Sequence, residues 1–229
     1  MMRAVLPVVA LTLCACTAAY GERVHEQFHQ TLESGNSPSV TVDNVAGTVT
    51  IQTWTKASVD VSATKYGYDA SQLRGITIGV SSGAAGISIK THYESDDHSG
   101  GVRYTITVPV ASSLDVGNVA GSVRVAGVTG NVIVETQAGT VDALLGRVDG
   151  NRSIDLRATT GTIALRIARD SSASVEAQSV VGSFSSDFPG IGQSRENIVG
   201  SRAAGKIGAG TARIRLATTT GAISIRTMQ

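Results

Sequence analysis

The stretch Ile154-Asp155-Leu156-Arg157-Ala158-Thr159-Thr160-Gly161-Thr162-Ile163-Ala164-Leu165 decides the fold. Apolar residues alternate before the glycine (Ile154, Leu156) and again after it (Ile163, Leu165), but the parity changes across Gly161. A period of two marks a strand with one buried face, and a glycine at the break marks a tight turn or bend between two strands that bury the same face. The frame recurs around Gly47, Gly121, Gly139, Gly182 and Gly221. Residues seven and five before and two and four after each glycine are apolar, from Val40, Val42, Val49 and Ile51 to Ile214, Leu216, Ile223 and Ile225, with Ser186 the one polar exception.

From Gly121 to Gly182 the frames follow one another about every 20 residues, and the step to Gly221 is close to two such periods. A unit that short cannot bury its apolar face alone, so like units must stack strand over strand. The expectation is an all-β chain built as a β-solenoid. A β-sandwich of antiparallel hairpins is the alternative, because regular short strands with turn signals also describe that class. The long gap between Gly47 and Gly121 carries a different pattern: strands near Ser58–Ala63, Gly75–Val80, Gly86–Tyr93 and Val102–Val110, and a helical turn at Asp69–Arg74. It reads as an antiparallel elaboration that caps one end of the stack, where an open edge would otherwise invite association.

Composition agrees, with 26 Gly, 4 Pro, 4% aromatic and 16% charged residues in 229. Arg3 accounts for the single excess positive charge, and a neutral chain without a basic run argues against a nucleic-acid partner. Arg3, the apolar run Val5–Leu13 and the small residues after it read as a secretory signal over residues 1–15, too short to span a bilayer. Leu13-Cys14-Ala15-Cys16 resembles a bacterial lipobox, which makes Cys16 the expected lipidated N-terminus, residues 16–23 a tether and 24–229 a single repeat domain. Cleavage near Ala18 or Ala19 is the competing expectation, giving a soluble periplasmic or secreted protein. No cysteine follows Cys16, so the domain holds no disulfide.

Several segments in order carry a resemblance to a known family. They are Val42-Asp43-Asn44-Val45-Ala46-Gly47-Thr48-Val49-Thr50-Ile51 with Trp54, Val102-Arg103-Tyr104-Thr105-Ile106-Thr107-Val108-Pro109, Ser186-Asp187-Phe188-Pro189, and Gly205-Lys206-Ile207-Gly208-Ala209-Gly210 leading into Ile214–Gly221. Over roughly Glu26 to Thr227 the chain resembles the bacterial putative adhesin family, exported β-strand-repeat domains of unknown function. The resemblance implies a right-handed β-helix-like repeat with an antiparallel elaboration at the cell envelope and carries over no catalytic residue.

Enzyme-like strings are weighed against that. His25-Glu26-Gln27-Phe28-His29 matches the zinc-peptidase pattern, in which two His one helical turn apart hold the metal and the Glu acts on its water. Val24, Phe28 and Leu32 fit a helix face but equally a strand face, on which the two His stand about 13 Å apart. Gly79-Val80-Ser81-Ser82-Gly83 matches a nucleophile elbow and Ser62-Ala63-Thr64-Lys65 a Ser–Lys pair, yet strand alternation resumes after the first and the second lacks companion motifs. Glu94, Asp96, Asp97 and His98 form an acidic loop fit for a hard cation or simply solvated. Asp115, Asp155 and Glu176 each fall six residues before their glycine, a recurrence that would place acids on one outer face, with Arg215 in the same frame position. Trp54 is expected to pack on the first rung rather than stack on a sugar.

The sequence therefore predicts no catalytic, metal or cofactor residue. It predicts a non-enzymatic, adhesin-like or structural envelope protein, held to a membrane by lipid, with an envelope glycan or protein as partner. A polysaccharide-active enzyme on a β-helix is the alternative, and a zinc peptidase a more remote one.

Overall fold

A computed structural model describes residues 24–94, 100–195 and 200–228. Its strands are β1 (Val24–Glu33), β2 (Ser39–Ala46), β3 (Val49–Trp54), β4 (Ser58–Gly67), β5 (Ile76–Gly83), β6 (Gly86–Tyr93), β7 (Gly101–Pro109), β8 (Ser113–Ala126), β9 (Val132–Gly146), β10 (Ser153–Ala168), β11 (Ala173–Ser186), β12 (Ile191–Arg195), β13 (Ser201–Ile207) and β14 (Ala212–Met228). One short helix, α1 (Ala70–Arg74), is capped by Asp69, whose carboxylate accepts from the backbone N–H of Ser71 and Gln72.

β8, β9, β10, β14 and β11 are long strands stacked in parallel, and each bends at its glycine into two arms. The β2–β3 pair forms a sixth rung, broken at Gly47, with β2 on the first arm of β8 and β3 on the second. Parallel pairing from rung to rung makes the body β-solenoid-like and overturns the sandwich alternative, which needs antiparallel hairpins. Both arms bury one face: Ile154, Leu156, Ile163 and Leu165 are fully buried in β10, as are their counterparts in β9. Ser186, the polar exception, is half-buried.

All six frame glycines have positive φ, from 122° at Gly47 to 151° at Gly182, a region that side chains other than hydrogen rarely enter. They stand in a column. A Cβ on Gly121, Gly139, Gly161, Gly221 or Gly182 would overlap the carbonyl oxygen of the glycine in the rung before it, and one on Gly47 would overlap that of Val102. Backbones thus cross the corner at a distance that only glycine permits.

Two features differ from the sequence reading. First, the stack does not follow chain order, because β14 lies between β10 and β11. β11 is followed by the hairpin β12–β13, which lies antiparallel on its far side. The chain then crosses the start of β11 through Gly208 and Gly210, both at positive φ, with Thr211 bonded to Ser172. β14 is thereby delivered to the near side of β11, where its frame matches both neighbours. Second, additions with antiparallel pairing cap both ends rather than one, although β7 and β6 join β3 and β2 in parallel. β7, β4 and β1 extend the second arm beyond β3, β6 and β5 extend the first arm beyond β2, and β13 and β12 close the other end.

Loops between rungs are tied together by Arg152, which donates from Nε to Gly130 O (3.2 Å), from Nη2 to Val128 O (2.8 Å) and from Nη1 to Arg147 O (3.0 Å). Burial pulls its guanidinium below the ordinary value, against a smaller opposing pull from Asp149.

Candidate functional site

The string His25 to His29 lies in β1, an edge strand paired antiparallel with β4. Four residues along a strand separate the two His by about 13 Å, so the zinc-peptidase reading is corrected. Glu26 instead pairs with Lys65 (2.8 Å), and His29 Nε2 meets Asp60 Oδ1 at 2.7 Å. Burial pushes the Asp60 carboxyl up, but the hydrogen bonds from Thr31, His29 and Ser62 and the His29 charge together bring it below its ordinary value. Ser62 donates to Asp60 and faces away from Lys65, three residues on in the same strand, so those two form no nucleophile pair. Ser81 lies in β5, whose hairpin leads into β6 and not into a helix, so there is no elbow. Glu94 is described, but Asp96, Asp97 and His98 fall outside the described residues, as do Cys14, Cys16 and the whole of 1–23. Among the described residues no group of three His, Cys, Asp or Glu could hold a metal. Trp54 is half-exposed, donates from Nε1 to Ser58 O (2.8 Å) and has Lys56 Nζ 4.7 Å from its ring centre.

The outer row six residues before the glycines reads across the sheet as Thr41, Asp115, Ile133, Asp155, Arg215 and Glu176. Ile133 separates two of the acids and Arg215 the other pair. Glu176 pairs with Arg215 (3.5 Å), and Asp155 holds both Nε (3.0 Å) and Nη2 (2.6 Å) of Arg157, whose Nη1 reaches Glu135 (2.8 Å). Hydrogen bonding and charge from Asp155, then Glu135, hold the Arg157 guanidinium above its ordinary value. Carboxylates spent on arginines in this way are not the opposed acid and base of a glycosidase.

What the fold does build is a groove of about 660 Å³ along the stack, crossing the strands. Five rungs contribute the fourth, third and second residue before their glycine, from Asp43, Asn44 and Val45 in β2 to Ala217, Thr218 and Thr219 in β14, and β11 contributes Gln178 and Val180. The outer walls are two rows. One runs Asp43, Gly117, Glu135, Arg157, Ala217, Gln178; the other runs Val45, Val119, Gln137, Thr159, Thr219, Val180. The second row coincides with a local lapse in pairing. At every interface from β2–β8 to β14–β11 the register passes from the third residue before the glycine to the residue just before it, omitting the one between.

Beneath the groove the third-residue row turns inward and is polar at five of its six positions, Ala158 being the exception. Asn44, Asn118, Thr136, Thr218 and Ser179 are all buried. At one end they connect: Asn44 Nδ2 donates to Asn118 Oδ1 (2.9 Å), Thr91 donates to Asn44 Oδ1 (3.0 Å), and the Thr91 and Tyr104 hydroxyls lie 2.7 Å apart. Burial pushes the Tyr104 phenol up to about 12, and the Thr91 bond offsets this only slightly. Further along, Asn118 Nδ2, Thr136 Oγ1 and Thr218 Oγ1 have no partner among the described residues, which leaves them to solvent or to a bound molecule, since buried polar groups are nearly always hydrogen-bonded. Sequence reasoning followed the acids six residues before the glycines. The signal available for the groove was the polar third residue before five of the six glycines, in strands whose other inward positions are apolar apart from Ser186.

Comparison with known proteins comes in at this point. The family described as Toastrack DUF4097 matches residues 39–226. A solved putative cell adhesion protein from Clostridium sporogenes superposes with a TM-score of 0.60 at 9% identity, over 90% of this chain and 100% of its own. A putative adhesin from Bacteroides fragilis, 15% identical over 89% of this chain and 97% of its own, gives only 0.33. No curated protein matches the chain.

Proposed function

Since the chain belongs to the Toastrack DUF4097 family, we propose that it is a non-enzymatic, adhesin-like binding protein of the bacterial envelope, and that the groove along its stack is the binding surface. The groove itself carries this reading, because there six rungs present aligned side chains and a broken ladder to the same line. The description of the Clostridium sporogenes relative as a putative cell adhesion protein points the same way. Pairing of Glu135 and Asp155 with Arg157, and of Glu176 with Arg215, speaks against an opposed pair of free carboxylates and so against a glycosidase form of the polysaccharide-cleaving alternative.

Export and anchoring belong to the same proposal. Cleavage before Cys16 and diacylation of its thiol would hold the body at a membrane surface through residues 16–23, with two acyl chains giving stable attachment at about 0.8 kcal/mol per buried methylene. Among the described residues no helix is long and apolar enough to cross a membrane. A binding screen of glycans, peptidoglycan and envelope proteins, with resonance mapping of each hit, tests the groove. Hits that map only elsewhere on the surface would remove it as the site. Intact mass of the protein from native envelopes tests the anchor, which fails if the chain begins unmodified after Ala18 or Ala19.

A further inference from the structure

Resting on the groove reading, we infer that the occupant is an uncharged glycan chain lying across the rungs, about one sugar to each strand. Repeat distance is the first argument. The groove runs perpendicular to the strands, so its lining recurs every ~4.8 Å, about the length of one pyranose unit. An extended polypeptide advances ~3.4 Å per residue and returns a side chain to the same face every second residue, so it falls out of step with the rungs at once. It also cannot add as a strand, because the groove meets the faces of the rungs and not a sheet edge.

Charge is the second. Asp43 is paired with Lys90 (3.2 Å), and Glu135 and Asp155 share Arg157. With Lys90 and Asp155 as outside partners, three carboxylates face two cations, and the one net negative charge left over disfavours a phosphate or uronate polymer. What remains for recognition is neutral: the carboxamides of Gln137 and Gln178 and the hydroxyls of Thr159 and Thr219. Alongside them run the backbone groups of the row where the regular ladder lapses. Val119 and Val180, 39% and 53% exposed, offer methyl groups to the C–H face of a sugar. Hydroxyls and amides in the middle of the row, with valines at both ends, on a sugar-length repeat are what a hydroxyl-rich neutral chain requires.

The experiment is amide-resonance mapping and calorimetry on the full-length protein with four probes: cellotetraose, chitotetraose, a tetra-uronate, and an uncharged extended octapeptide. A neutral tetrasaccharide is expected to shift resonances of residues 117–119, 135–137, 157–159 and 217–219, with the tetra-uronate at least about tenfold weaker. Thr159→Trp, at an exposed position in the middle of the groove, is expected to abolish the shifts while the rest of the spectrum stays native. Preferential binding of the uronate, or of the peptide, in the groove overturns the glycan assignment and leaves the groove reading standing. Sugar binding that maps elsewhere or survives Thr159→Trp, or no binding of any probe, overturns the glycan assignment. In those cases the broader screen decides the groove on its own.

Discussion

Gly161→Ala probes the corner column directly. Gly161 sits at φ 144°, and a Cβ there would overlap the Gly139 carbonyl oxygen, part of a backbone held in place on both sides by parallel pairing. Forcing a side-chain-bearing residue into that backbone region costs about 1–3 kcal/mol. Relieving the overlap by moving a packed strand costs roughly as much again, by analogy with overpacked cores at about 1–3 kcal/mol. The expected loss is about 4 kcal/mol, a large part of the roughly 5–15 kcal/mol that holds a domain folded. Gly146→Ala is the control: it also has positive φ (63°), but nothing lies within 4 Å of its added Cβ, so it should lose only about 1–2 kcal/mol. Urea denaturation followed by circular dichroism measures both. Equal losses in the two variants would refute the close crossing of backbones, since strain alone would then account for the effect.

Ile163→Asp places a carboxylate at a fully buried position, and it should unfold the domain or lower its stability by more than about 4 kcal/mol; a near-native thermal melt would contradict the inward frame. Arg152→Ala removes three hydrogen bonds to loop carbonyls and should cost about 2–4 kcal/mol, with Arg152→Lys recovering only part of it in the same melts. The raised phenols of Tyr93 and Tyr104, each near 12 chiefly through burial, make stability independent of these groups below the unfolded phenol value. Above about pH 10 the unfolded chain ionises first, so stability should fall as pH rises toward 12; a flat urea midpoint across that window would show the phenols to be more solvated than the fold implies.

The architecture was legible in the sequence because a solenoid repeats its physics in every rung. Alternation around Gly161 gives the strand, the parity change gives the bend, and recurrence gives the stack. The place of β14 was not legible, because its frame around Gly221 is interchangeable with that around Gly182 and nothing local says which rung is its neighbour. That is decided by the β12–β13 hairpin occupying the far side of β11. Among site residues, His25 and His29 could be discounted once their neighbours favoured strand. The groove was hidden because its wall residues share a position and not a chemistry: Val119, Gln137 and Thr159 have nothing in common until the register sets them side by side.

The central claim is that one line across the rungs does the binding, and blocking that line is its most direct test. With any ligand from the envelope screen, affinity should fall at least about tenfold on Gln137→Trp, which fills the groove from its exposed wall. Affinity should be unchanged on Thr162→Trp, an exposed residue on the other side of the bend in the next rung. Equal affinity in the two variants, or loss confined to Thr162→Trp, would contradict the assignment of the groove as the binding site.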